Sequence, residues 1–126
     1  MEIDAGSLQL LMEVGFLAGG YGYLGEAEII FDGLKAVRPQ NESPLIGLAF
    51  AKMNNNQMDE AIRILEEEAL KVNPQSDLAR SFLGLALKLS GRVEQCLPIL
   101  REVVERNSDE AAVKVARGLL EEIDAV

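Results

Sequence analysis

Histidine is absent from the 126-residue chain, and cysteine occurs once. The first absence removes the commonest general base, the usual metal ligand and the usual partner of a nucleophilic Ser or Cys. A lone thiol builds neither an internal disulfide nor a cysteine-based zinc site, which points to a reducing compartment. Basic residues are few: 12 Lys and Arg stand against 21 Asp and Glu, a formal charge of −9. Such a surface repels phosphate backbones and anionic lipid, so neither nucleic acid nor a membrane surface is an expected partner. Long apolar runs are missing as well. Each is broken by Gly or charge within about a dozen residues, short of the roughly 20 that a membrane-crossing helix needs. The opening MEIDAGS is acidic where a secretory leader is basic. These absences lead to the expectation of a cytoplasmic protein that is no enzyme and uses no cofactor, metal or catalytic residue.

What is present is the composition of a globular protein, 48% hydrophobic and 26% charged, with enough length for one domain over residues 1–126. The chain also repeats itself. GYLGEAEIIFDGLKAVRPQ from Gly22, NQMDEAIRILEEEALKVNPQ from Asn56 and GRVEQCLPILREVVERNSDE from Gly91 align on a turn residue, a polar run and a small residue. The small residues Ala27, Ala61 and Cys96 lie 34 and 35 positions apart. Upstream, Gly15, Ala49, Gly84 and Gly118 keep step at 34, 35 and 34. A period of that size marks a stack of supersecondary units.

Period and residue types resemble the tetratricopeptide repeat (TPR). Leu83-Gly84 fits the Leu-Gly pair of its first helix, and Gly22 and Gly91 fit its turn. Ala27 and Ala61 fit its small site, Phe31, Leu65 and Leu100 its large apolar site, and Pro39 and Pro74 close two repeats. Physical chemistry agrees: facing small residues let antiparallel helices approach, Gly supplies the positive φ that ends a helix, and Pro stops the next one. The pattern also departs from the family. Leu11, Leu45 and Arg80 stand where Trp is usual, Asn56 replaces a turn Gly, and Ser108 replaces the third Pro. The second repeat carries one extra residue around EEEALK. The resemblance implies an all-α, right-handed superhelix of three antiparallel helix pairs plus a C-terminal capping helix. Its repeats fall at about 8–41, 42–76 and 77–110, with the cap at about 109–124.

Periodicity and end signals predict helices over 5–18, 24–37, 44–54, 58–72, 77–90, 93–106 and 109–124. Gly19-Gly20 is expected to end the first of them early. Ser43-Pro44 reads as a helix start with Pro at the first position. Ser76 and Ser108 are placed as N-caps, each followed by an acid that favours the helix dipole.

Chemistry-bearing groups are sparse. Glu66-Glu67-Glu68 and Glu121-Glu122 do not converge on one ion, because adjacent helix positions point about 100° apart; they read as solvated faces. Cys96 has no histidine to activate it and occupies the small-residue site, so it reads as packing. Gly19-Gly20-Tyr21-Gly22 lacks the Lys-Ser/Thr and the preceding strand of a phosphate loop and reads as a turn. Pro98 falls in a first helical turn, where its missing N–H costs little.

In a TPR stack the first helices line a concave surface. The resemblance assigns to that lining Met12, Phe16, Ile46, Phe50, Met53, Phe82, Leu85 and Leu89. Lys88 and Asn54 alone do not make a clamp for acidic tails. A Met- and Phe-lined groove suits an amphipathic helix laid in apolar face down, and Phe16, Phe50 and Phe82 are expected about 10 Å apart along it. The last helix of the chain, or a second copy forming a homo-oligomer, are the alternative occupants.

AEIIFDGLKAVRP, IGLAFAKMNNNQMDEAIRILEEEAL and FLGLALKLSGRVEQCLPILREVV look like the small TPR-type proteins of bacterial type III secretion systems, the needle-subunit chaperones and Hrp-cluster proteins. The likeness covers about residues 8–120. It implies a chaperone that cradles an amphipathic helix of a polymerising or secreted subunit, with a second small helical co-chaperone. A generic TPR scaffold is the alternative it leaves open.

Overall fold

The computed structural model describes residues 3–124, of which the ordered elements are helices and none is a strand. Helix α1 is Ala5–Gly20, α2 Leu24–Val37 and α3 Ser43–Met53. Helix α4 spans residues 58–72 and changes pitch within itself: Met58–Arg63 is α-helical, Ile64–Ala69 π-helical and Leu70–Val72 α-helical again. Then follow α5 (Asp77–Leu89), α6 (Val93–Arg106) and α7 (Glu110–Asp124). No helix of the described residues is long and apolar enough to cross a membrane.

The turns explain the boundaries. Gly22, Asn56 and Gly91 take the left-handed conformation at φ 82°, 61° and 81°, so Asn does the work of Gly in the second repeat. Asp4 caps α1 by accepting from the Ser7 N–H at 2.8 Å, and that bond holds its carboxyl below the usual carboxylate range. Ser76 caps α5 through the Ala79 N–H at 3.2 Å. At α7 the cap is not Ser108. Asp109 accepts from the Ala112 N–H at 3.1 Å, while the Ser108 hydroxyl donates to the buried Asp77 carboxylate. Proline's fixed φ suits the first turn of α3, where the Ser43 N–H donates to Asn41 Oδ1 at 3.0 Å.

Two further expectations are corrected. The Gly-Gly pair does not end α1, which runs through Gly20. Gly19 is buried where α1 crosses α3, and a Cβ there would lie 3.1 Å from the Ala51 Cβ, so the glycine serves close packing rather than termination. The extra residue of the second repeat appears as the π-helical segment. That segment widens one turn and takes up the insertion where it occurs.

Each helix packs on the next, and each odd-numbered helix also packs on the next odd one: α1 on α3, α3 on α5, α5 on α7. The small sites Ala27, Ala61 and Cys96 and the large sites Phe31, Leu65 and Leu100 are buried in these contacts. The Phe31 ring sits between Gly15 of α1 and Gly47 of α3, and Leu100 lies on Gly84. Polar ties close two of the pairs and join one pair to the next: Asn73 donates to Glu42 across the ends of α3 and α4, Arg106 of α6 lies 3.1 Å from the buried Asp77 of α5, and Arg92 meets Asp59 between the second and third pairs. Ala61 is wholly buried between packed helices, so Ala61→Leu is expected to overpack the α4 contacts and cost about 1–3 kcal/mol, read as a lowered denaturant midpoint at constant slope.

Candidate partner-binding groove

The row of odd-numbered helices carries a line of aromatic rings. Phe16 of α1 packs its ring edge-on to the buried Phe31, with centroids 5.4 Å apart. Phe50 of α3 follows at 5.8 Å from Phe16, and Phe82 of α5 at 5.9 Å from Phe50. The three are half-buried, so each shows one side to its neighbours and the other to solvent. Their spacing is closer than the expected 10 Å because rings on adjacent helices lean toward each other into aromatic contact.

The structure separates the eight proposed lining residues. Met12, Phe16, Phe50, Phe82 and Leu85 are half-buried, and Leu89 is 55% exposed. Ile46 and Met53 are not lining residues: at 1% and 5% exposure both belong to the core. The reason is that α3 has packed neighbours on both sides, α1 and α5, besides α2 and α4, and these cover positions that stay open on an edge helix. Helix α7 packs on α5 and α6 and contributes nothing to the cleft at Phe16 and Phe50.

That cleft, about 600 Å³ and open to solvent, lies along α1 and over α3. Met12, Phe16, Leu17, Tyr21 and Phe50 make its apolar wall, with Gln9 and Glu13 on the rim. The sequence reading missed Leu17, Tyr21 and Glu13. The available signal was that α1 is nearly free of polar residues, Ser7, Gln9 and Glu13 being its only polar side chains. Of its residues only Gly15 and Gly19 are fully buried, while Leu10, Val14, Leu17 and Tyr21, spaced 4, 3 and 4 apart, form an outward stripe, 60%, 42%, 59% and 74% exposed. A helix with so much apolar surface normally lies against other protein. Helix α7 is built the other way, with Glu110, Lys114, Arg117 and Glu121 on its outer face.

Several charged groups elsewhere tie the scaffold together. Glu68 meets Lys35 and Arg63, Lys52 meets Glu28, and Lys88 meets Glu122 at 2.7 Å. Asp77 spends its two oxygens on Arg80, Arg106 and Ser108. The described residues contain no group of three or more metal-ligating side chains. Cys96 is wholly enclosed, and burial pushes its thiol upward from the ordinary range. Ellman's reagent is therefore expected to react with the folded protein only at the rate of unfolding, and with the urea-unfolded chain at once. No protein-family model matches the chain, and no curated protein matches it.

Proposed function

We propose that the chain is a TPR-type right-handed stack of three helix pairs and a capping helix, acting as a non-enzymatic chaperone or adaptor in bacterial type III secretion. In this reading it holds an amphipathic helix of a self-assembling needle-type subunit against its concave side, in the cytoplasm, with a second small helical protein as co-chaperone. The observation that carries the reading is the half-exposed line Phe16–Phe50–Phe82, which ends in the open cleft on α1. The helix pairing, the turn residues at a 34- and 35-residue spacing and the small-on-large packing support the repeat assignment. Mechanistically the groove competes. It occupies the apolar face through which subunits would join one another, at a gain of roughly 1.5–3 kcal/mol for each large side chain fully covered.

The test is to look among the neighbouring genes for a small polymerising helical protein and to co-express it with this chain. A soluble complex that suppresses filament growth is expected, together with an export ATPase among the flanking genes. Unhindered filament growth in its presence would overturn the reading. A second reading, a self-associating TPR scaffold, is favoured by the outward stripe on α1. Sedimentation of the isolated chain separates the two, since a stable dimer at micromolar concentration belongs only to the second.

A further inference from the structure

The acidity of the chain is concentrated at one end of the stack. No Lys or Arg precedes Lys35, whereas Glu2, Asp4, Glu13, Glu26, Glu28 and Asp32 all do. The first 34 residues thus carry −6 of the total −9, and the other 92 are close to balance. Ion pairing follows the same division. Among the described residues no ion pair reaches α1, and Glu28 is matched only by Lys52 from α3. The cleft lies at this end. Its walls are apolar, and its one charged rim group, Glu13, is exposed and accepts a bond only from the Gln9 amide at 3.3 Å.

We infer that the cleft on α1 receives a partner helix whose apolar side seats on Phe16 and Phe50 and whose flank presents Lys or Arg to Glu13. This rests on the groove reading above and adds to it the charge of the occupant. A basic flank meets an acidic field in which α1 carries no base and α2 carries only Lys35. That attraction speeds encounter and selects partners more than it adds raw affinity. A second copy is the wrong chemistry for the same place: a two-fold contact through α1 brings together two helices that carry Glu13 and no base. An acidic helix is rejected for the same reason.

The experiment uses the full chain and two synthetic 20-residue amphipathic helices with one common Leu-rich face, flanked in one peptide by Lys and in the other by Glu. Affinities are read by fluorescence anisotropy at low and at 0.5 M salt. The Lys-flanked helix is expected to bind about tenfold more tightly at low salt, the preference falling below about threefold when exposed charges are screened. Glu13→Lys is expected to remove most of that preference with unchanged circular dichroism. Glu102→Lys, on the exposed face of α6 and outside the cleft, leaves the preference in place. Equal loss in both variants would mean general attraction to an acidic protein and would overturn the inference. Equal binding of the two peptides overturns the charge assignment and leaves the groove reading intact. Binding of neither peptide overturns the groove reading with it. A dimer that excludes both peptides makes a second copy the occupant and overturns the inference too.

Discussion

Gly47→Ala is expected to unfold the protein at a lower temperature than the parent, although alanine is the better helix former. In the native packing the Phe31 ring lies between Gly15 and Gly47, and a Cβ on Gly47 would overlap it. The ring has no retreat, because the Gly15 position it would move toward already leaves only enough room for hydrogen: a Cβ there would stand 2.7 Å from the ring. Overpacking of this kind costs about 3 kcal/mol, and the helix propensity gained returns about 1 kcal/mol. The net loss of about 2 kcal/mol corresponds to a fall of roughly 6–8 °C in Tm for a domain of this size. Gly33→Ala gives the opposite sign. It lies on the exposed face of α2 with no neighbour within 4 Å of its would-be Cβ, so propensity acts alone and adds up to about 1 kcal/mol. Thermal melts of the two variants side by side decide the matter, and a Gly47→Ala protein as stable as Gly33→Ala would refute the wedge. Phe31→Leu in the Gly47→Ala background is expected to recover part of the loss, because the two positions share one volume.

Phe50→Ala is expected to have the largest effect on partner capture. Phe50 stands between Phe16 and Phe82 at under 6 Å from each, and it forms the part of the cleft wall that comes from α3. Hot spots concentrate on central aromatic anchors, so truncation should cost at least about 2 kcal/mol of binding, roughly a thirtyfold rise in Kd. Glu66→Ala, on the exposed face of α4, is expected to be silent. Because Phe50 is only half-buried, the variant keeps its helices, which circular dichroism verifies before the pull-down is interpreted. Equal retention of the cognate subunit by both variants would sink the groove proposal and leave self-association as the better account.

Helix order and most boundaries were legible because punctuation and packing point the same way in each repeat. Gly22, Asn56 and Gly91 all take positive φ, and Ala27, Ala61 and Cys96 all sit at zero exposure beneath a neighbouring helix. Where the two signals conflict, packing wins. Gly19 looks like a stop and is in fact a contact, since a Cβ there would crowd Ala51 of α3 at 3.1 Å. The groove was legible only in part. Repeat position tells which side of a helix a residue occupies but not how deeply the next helix covers that side. Ile46 and Met53 therefore sank into the core, while Leu17 and Tyr21, outside the repeat's usual lining positions, stayed open. Ser108 lost its capping role because buried Asp77 needs a third donor, and that demand arises 31 residues away in sequence.

The π-helical segment of α4 behaves like a dislocation annealed within one lattice cell. A single inserted residue in a rigid α-helix would rotate everything after it by about 100° and carry Ala69 out of contact with its neighbours. Instead Ile64, Leu65 and Ala69, at the two ends of the wide turn, all remain buried. The phase error is confined to Glu66, Glu67 and Glu68, which face solvent or lie half-buried beside Arg63 and Lys35. The array therefore has a built-in place where length can drift by one residue while the downstream repeats keep their register. A chain shortened by Glu67 alone should relax this turn to an ordinary α-helix and leave every later contact where it was.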